Sequence, residues 1–351
     1  MAEATNNKAG VASLSDDNLH TSKSLWRDSF ERLARNRLAM VGLVVIILNI
    51  LMAIFAPVIA PHDYADQSLL KTNAAPEWVI DLFPTMRAQG TENGYVKVVD
   101  ASEYFLGTDP LGRDLLSRII YGARVSLAVA FVGPLFATVI GVTLGLISGY
   151  FGGRIDNIIM RVVDTLYAFP TLLIIILMMS FFRSGAFATP EMQGTIGGIM
   201  YQMDRSLGGM LFIFIGIGIT SWLGLARLTR GQVLSVRENE YIIAARAQGA
   251  SKWQIITKHV LPNILGPLIV AETLTIPGYI SSEAFLSFIG LGVSPPTPSW
   301  GEMISVGSGY IGSYPHQAIF PALALFFIMF AFNFLGDGLR DAFDPRLRGV
   351  D

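Results

Sequence analysis

The stretch EYIIAARAQGASKWQIITKHVLPN, residues 240 to 263, is a polar and partly basic segment between two long apolar segments of the chain. It predicts a helix from Glu240 to Gln248, a turn at Gly249 and a second helix from Ser251 to Val260. Glycine adopts backbone angles that other residues resist, serine is a common N-cap, and Pro262 predicts the end of the second helix. Such a pair of helices is suited to transmit a force, although a polar loop that only sets membrane topology has a similar composition.

The composition of the whole chain indicates a membrane protein. Of its 351 residues, 52% are hydrophobic and 15% are charged, and none is cysteine. Soluble domains carry about 25% charged residues, and a helix of about 20 mostly apolar residues crosses a bilayer. We therefore predict an all-α integral membrane protein with six transmembrane helices. The six apolar runs are Leu38–Ala60, Val125–Gly149, Val162–Phe182, Leu207–Ala226, Leu265–Gly290 and Ala318–Gly336.

The basic residues predict the orientation of these helices. Cytoplasmic loops carry an excess of Lys and Arg, and placing both termini in the cytoplasm puts seventeen of the 25 basic residues inside. The predicted order is a cytoplasmic tail and interfacial helix over 1–37, the first span, and an extracytoplasmic loop over 61–124. A core over 125–336 follows, with a cytoplasmic loop over 227–264, and then a cytoplasmic tail over 337–351.

Several local patterns refine this topology. Leu25, Trp26, Phe30 and Leu33 fall on one helical face, which predicts an interfacial helix, although a basic flank that only fixes topology remains an alternative. Thr108-Asp109-Pro110 predicts the start of a short outer helix before the second span. The face formed by Gly141, Gly145 and Gly149 allows close approach of another helix. Kinks are predicted at three prolines within spans, Pro134, Pro170 and Pro277.

Acidic residues inside spans are energetically costly and point to function. Asp164, Glu272 and Glu283 are therefore candidates for a substrate pathway. Asp164 lies one turn from Arg161, so an interfacial ion pair is its alternative role. Glu283 either contacts a substrate amine in a pore or makes a buried structural hydrogen bond, and Glu272 has the same two alternatives.

The chain lacks the motifs of several other protein classes. It contains no phosphate-binding G-x4-GK[ST] loop, no HExxH and no GxSxG, and its four histidines are scattered. These observations predict no bound nucleotide, no metal site and no catalytic centre. A net charge of −2 gives no indication of a nucleic-acid partner.

The motif AA-x3-G-x9-H-x-LP resembles the signature loop of permease subunits of binding-protein-dependent ABC importers. It runs from Ala244 through Gly249 and His259 to Pro262, with Ile243 where the family usually has an acid and Glu240 one turn upstream. Four further runs, from 107 to 346, resemble the C-type permease of oligopeptide, dipeptide and nickel importers. They are GTDPLGRDLLSR, DTLYAFP, EAFLSFIGLGVSPPTPSWG and FNFLGDGLRDAFDPR.

This resemblance implies a type I ABC importer permease in the cell membrane that moves peptides into the cytoplasm. Its partners would be a second homologous permease subunit, an extracytoplasmic substrate-binding protein and two cytoplasmic ATPases that carry ATP and Mg²⁺. The loop would contact the ATPases through ten positions. They are Glu240, Ala244, Ala245, Arg246, Gly249, Ala250, Ser251, Lys252, His259 and Pro262.

The outer surface supplies candidates for docking the binding protein. Arg113, Asp114 and Arg118 either meet that protein or form a local ion-pair cluster, and Trp300 either docks it or anchors a helix end. Two other classes remain as alternatives, an ATP-independent secondary transporter or channel and an intramembrane enzyme. Either would function without a separate ATPase.

Overall fold

A computed structural model describes residues 25–88, 97–192 and 194–344 of the chain. Within these ranges the protein is helical, and isolated bridges such as Ala75 with Val98 take the place of strands. The predicted tail residues 1–24 and 345–351 lie outside the described residues. The all-α prediction is confirmed.

Six helical segments are long and apolar enough to cross a membrane. Two of them are unbroken for 37 residues because a π-helical segment joins two α-helices. In chain order, the spans are Arg37–Ile54, Leu115–Phe151 (π-helical over Ala137–Val142), Thr171–Ala188 (α-helical over Thr171–Phe182), Leu211–Val236, Lys252–Phe288 (π-helical over Ile255–Val260) and His316–Phe343. The chain is therefore a multi-pass membrane protein.

Shorter helices connect the spans. They are Leu25–Arg35, Ala56–Ile59, Glu77–Leu82, Thr85–Ala88, Gly153–Tyr167, Ile196–Ser206, Glu240–Ala247 and Trp300–Ser308, with 3₁₀ turns at Leu69–Lys71, Gly185–Ala188 and Pro190–Met192. In the first of these, Leu33 packs against Ala342 of the sixth span, whereas Phe30 is 63% exposed. The amphipathic helix predicted before the first span is present and rests on the sixth span.

The third span begins at Thr171, nine residues after the predicted Val162. Pro170 cannot donate a backbone hydrogen bond, and the residue before a proline avoids helical angles. The chain therefore leaves the helix after Tyr167 and starts a new one at Thr171. Residues 153–167 form a separate amphipathic helix, here called the elbow helix, and Gly152 and Gly153 with positive φ turn the chain into it.

The second and fifth spans are longer than predicted. The separate outer helix expected after Pro110 is the first part of the second span, which begins at Leu115 and is capped by Asp114, whose carboxylate accepts the Ser117 N–H at 2.8 Å. Pro262 does not end a helix, because the chain continues from Lys252 through the π segment to Phe288. At the second position of the α-helix after that segment, proline is tolerated.

The glycine face of the second span packs against the fourth span, as predicted. A Cβ atom added at Gly145 would lie 2.6 Å from the Ala226 carbonyl oxygen, and one at Gly141 would lie 2.7 Å from the Trp222 carbonyl oxygen. The two backbones are in contact only because no side chain separates them. This contact fixes the second span against the fourth.

Candidate functional site

The loop over residues 240–263 contains the first of the two predicted helices and the predicted turn, whereas the second predicted helix is the start of the fifth span. The first helix, Glu240–Ala247, is followed by Gly249 with a φ of +84°. Ser251 then caps the fifth span in a reciprocal capping box: the Gln254 N–H donates to Ser251 Oγ at 3.3 Å and the Ser251 N–H donates to Gln254 Oε1 at 2.8 Å. Because the fifth span starts at the turn, the loop and the span are one mechanical unit.

The inner face of the first loop helix is anchored on the rest of the protein. Ile242 is fully buried in a cluster with Ile255, Ile256 and Val260 of the fifth span. Ala245 is buried as well, so the expectation that both Ala244 and Ala245 are open to another protein is wrong for Ala245. Helical spacing explains the difference, since Ile242 and Ala245 are three residues apart and share one face.

Large apolar side chains are exposed at three separate points of the loop. Tyr241 is 42% exposed, Ile243 is 53% exposed and Trp253 is 61% exposed. Ile243 occupies the position where an acid was expected, so the surface is apolar there. Sequence reasoning did not select Tyr241 and Trp253, although two aromatic residues in a polar loop were a visible signal. We call these three residues the loop patch.

The remaining predicted loop residues surround this patch. Arg246, Lys252 and Pro262 are exposed, and His259 is half-buried with its carbonyl accepting the Asn263 side-chain N–H at 2.6 Å. The Lys252 ammonium lies 5.5 Å from the centre of the Phe151 ring. Glu240, at the first position of the loop helix, is exposed. The loop therefore exposes both large apolar and charged side chains.

Two ion pairs hold the elbow helix on the fourth span. The Asp156 carboxylate accepts two hydrogen bonds from Arg230, both 2.6 Å long, and the hydrogen bonds from Arg230 lower the Asp156 pKa below its ordinary value. Asp164 pairs with Arg227 at 2.5 Å rather than with the expected Arg161. The Asp164 side chain is 64% exposed and lies before the third span, so the prediction of an acid inside the span is wrong for this residue.

A cavity of about 400 Å³ lies between the second, fourth and fifth spans. Its lining is mostly apolar and extends along the fifth span from Leu261 to Ile276. Glu272 faces this cavity and is 9% exposed, and Tyr279 Oη donates a hydrogen bond to its Oε1 at 2.9 Å. A carboxylate beside an apolar cavity is a strong site for a cationic group.

Glu283 has a different environment from Glu272. It is fully buried, and its carboxylate accepts hydrogen bonds from Ser287 Oγ at 2.7 Å and from Ser126 Oγ of the second span at 3.3 Å. It does not line the cavity between the spans. Of its two predicted roles, the buried structural hydrogen bond is the one that these contacts support.

The four outer residues predicted to dock a binding protein are also buried. Arg113 is 5% exposed, Asp114 2%, Arg118 1% and Trp300 0%. Arg118 donates to Glu302 Oε2 at 3.0 Å and to the Tyr64 carbonyl at 3.1 Å, and Trp300 Nε1 donates to the Ile119 carbonyl at 3.0 Å. These side chains join outer segments internally and present no surface for another protein, which favours the ion-pair and anchoring alternatives.

Comparison with known proteins places this architecture in a family. A model described as binding-protein-dependent transport system inner membrane component matches residues 141–349, and the N-terminal transmembrane domain of oligopeptide transport permease C matches residues 24–76. The oligopeptide transport system permease protein OppC of Bacillus subtilis (strain 168) is 39% identical, with 93% of this chain and 92% of that protein covered. The dipeptide transport system permease protein DppC of the same organism is 38% identical, covering 93% and 88% respectively.

Among solved structures, a chain of the inward-facing MetNI methionine ABC transporter aligns with a TM-score of 0.48 and 22% identity. The alignment covers 65% of this chain and 97% of that chain.

Proposed function

This chain belongs to the family of binding-protein-dependent transport system inner membrane components, and on that premise we propose that it moves peptides into the cytoplasm, driven by ATPases that act on residues 240–263. As a member of a permease family it has a transport role rather than an enzymatic one. The OppC and DppC relatives, named for oligopeptide and dipeptide transport, support a peptide substrate. Peptides combine apolar side chains with charged ends, which suits an apolar cavity that contains one carboxylate.

The observation that carries the coupling proposal is the continuity between the loop patch and the fifth span. Tyr241, Ile243 and Trp253 are exposed at one end of a segment whose helix runs unbroken from Lys252 to Phe288. Three large exposed apolar side chains within one otherwise polar loop support a protein interface there. A partner that moves the patch would move the fifth span as a rod, and with it the wall of the cavity.

The proposed assembly has three kinds of partner. Two cytoplasmic ATPases, which carry ATP and Mg²⁺, contact the loop; a second homologous permease completes the pore; and an extracytoplasmic binding protein delivers the peptide. In this arrangement both termini are cytoplasmic, and the inward excess of basic residues supports that orientation.

Copurification tests this assembly directly. We expect a tag on this chain to recover ATPase subunits and a second permease from native membranes, with hydrolysis stimulated by the binding protein and peptide. A chain that purifies alone and still transports peptide in vesicles without ATP would instead establish the secondary transporter alternative.

Gly249 provides a sharper test of the loop. Its φ of +84° disfavours β-branched residues, yet a Cβ atom added there meets nothing within 4 Å, so substitution changes backbone preference without a steric clash. We expect Gly249→Val to destabilise the turn by about 1–2 kcal/mol and to reduce peptide uptake per ATP hydrolysed. Gly249→Asn is the matched control, because Asn tolerates left-handed angles, and should retain coupling. Equal coupling in both variants would contradict the role of the turn.

A further inference from the structure

The cavity between the second, fourth and fifth spans lies at the level where a substrate crosses the membrane. Glu272 is twenty residues after the start of the fifth span at Lys252 and sixteen before its end at Phe288. The apolar run starts at Leu265, and at about 1.5 Å per residue Glu272 lies roughly 10 Å inside it. The lining residues nearest the loop, Leu261 and Leu265, place the rest of the cavity towards the cytoplasmic end.

The residues that line the cavity differ in charge. Of the described residues that line the cavity, Glu272 alone is ionisable, and the others are apolar side chains and threonines. Within the described residues, its hydrogen bond is the one from Tyr279 Oη to Oε1. A carboxylate at this depth has little water around it and is stabilised by a positive charge.

Tyr279, whose hydroxyl donates to Glu272, is itself held by packing beside the cavity. The Tyr279 ring packs on Gly133 of the second span, where an added Cβ would lie 2.6 Å from ring atom Cδ2. The second span is π-helical directly below, over Ala137–Val142, and Thr138 and Val142 of this segment line the cavity. Such segments are frequent at functional sites because they reposition side chains within a helix.

We propose that Glu272 binds the ammonium group of the peptide in transit, while the apolar walls hold the adjoining side chains. The ligand class is an alkylammonium attached to apolar groups, supplied either by a peptide N-terminus or by a lysine side chain. This inference rests on the proposed peptide transport and assigns the recognition of the cation to one residue.

A lipid does not meet the same requirements. Its cationic headgroup lies at the membrane surface, roughly 10 Å from this carboxylate, and its acyl chains carry no positive charge. Glu283 is unsuitable as the cation site because it is fully enclosed and accepts hydrogen bonds from Ser126 and Ser287.

The experiment compares uptake of three peptides by the complete transporter with its binding protein. Tri-leucine has a free N-terminus, N-acetyl-tri-leucine has no ammonium group, and N-acetyl-Leu-Lys-Leu carries only the lysine ammonium. In the wild type we expect the KM of tri-leucine to be about tenfold lower than that of the acetylated peptide, as a charge-assisted hydrogen bond provides. Glu272→Gln should reduce this ratio to about twofold or less.

Two variants serve as controls on the same helix. Glu272→Asp keeps the charge and should retain discrimination, and Glu283→Gln removes an acid eleven residues away and should leave the KM ratio unchanged even if total uptake falls. Uptake of N-acetyl-Leu-Lys-Leu that depends on Glu272 would assign the site to any alkylammonium. Discrimination limited to the free N-terminus would assign it to the α-amino group.

The outcomes separate the two proposals. An unchanged KM ratio in Glu272→Gln, or a wild type that does not discriminate, would overturn the role of Glu272 while leaving peptide transport intact. No uptake of any of the three peptides by the wild type would overturn peptide transport itself. If Glu272→Gln fails to insert, labelling of wild-type Glu272 by a hydrophobic carbodiimide decides: protection by tri-leucine but not by its acetylated form supports the site, and equal labelling overturns it.

Discussion

The two ends of this molecule, which the proposed orientation makes outer and cytoplasmic, place some of their large side chains differently. At the outer end, buried Arg118 joins Glu302 to the backbone of two loops, and Arg183 pairs with Asp204 at 3.0 Å while donating to the Gly292 carbonyl at 2.7 Å. At the other end, Trp253 of the loop over residues 240–263 is 61% exposed. Arg118 and Arg183 are held by partners within the chain, whereas this loop leaves a large apolar side chain uncovered.

Under the proposed function, this difference supports the loop over residues 240–263 as the place where a partner moves the protein. The outer loops are tied to the spans by buried arginines, so we expect them to move with those spans. The loop patch is exposed, so a partner can contact it directly. The insert after the first span extends the locked region, since Val79, Ile80 and Met86 are buried in a cluster beside Phe320 of the sixth span. Three stability measurements separate these regions.

The largest effect is expected at Arg118. Replacing it with methionine removes the positive charge that pairs with Glu302 and lies 3.6 Å from Asp109. Glu302 loses its ion-pair partner, whereas Asp109 keeps Arg113 at 2.6 Å. Breaking a buried ion pair by removing one partner costs about 3–5 kcal/mol, and denaturant unfolding in detergent measures that loss. The control is Arg205→Met, because Arg205 is an exposed outer residue. A loss below about 1 kcal/mol for Arg118→Met would contradict the locked outer end.

An intermediate effect is expected where the second and fourth spans touch. Gly145→Ala places a methyl group 2.5 Å from Thr229 Cβ and 2.6 Å from the Ala226 carbonyl oxygen, and such overpacking costs about 1–3 kcal/mol. Gly231→Ala in the fourth span is the control, because its Cβ meets nothing within 4 Å. Equal unfolding midpoints for the two variants would show that this pair of spans is loosely packed, and the comparison would then extend beyond the loop.

The smallest effect is expected at the elbow helix and depends on pH. Because Arg230 lowers the Asp156 pKa, the stabilisation is fully present above the ordinary value of 3.8 and is lost as the pH falls through the lower folded-state value. We expect Asp156→Asn to be less stable than the wild type at neutral pH, with the difference closing below 3.8. Thermal unfolding across this pH range checks it, with Glu238→Gln as a control for an exposed ion pair. A difference that persists below that pH would indicate a steric cause.

Periodicity and glycine spacing were sufficient to predict the six spans, the turn at Gly249 and the close contact at Gly145. Each of these depends on the local chain, which the sequence states directly. The start of the third span was wrong because the hydropathy of residues 162–169 outweighed Pro170 in the prediction. For Pro262 the prediction gave the proline too much weight. It lies near the start of an α-helix, where a proline does not interrupt the helix.

Tertiary contacts account for the remaining differences. The partner of Asp164 is Arg227, 63 positions away in the chain, and a one-turn spacing to Arg161 gave no information about it. The burial of Trp300 depends on the second span, whose residues Leu115, Ile119 and Ala123 share its cluster. The cavity at Glu272 arises from three spans that no short stretch of sequence brings together.

The unbroken helix from Lys252 to Phe288 also fixes a rotational phase. An α-helix turns about 100° per residue, so the direction in which Glu272 points is set by the angle at which the Ser251 cap is held. Glu283 follows eleven residues later, close to three full turns, and therefore lies on the same side of the helix. Deleting one residue between Leu261 and Glu272, beyond the π-helical segment, would turn both carboxylates away from the second span by about 100°. The loop thus sets the rotation of the fifth span about its own axis as well as its position.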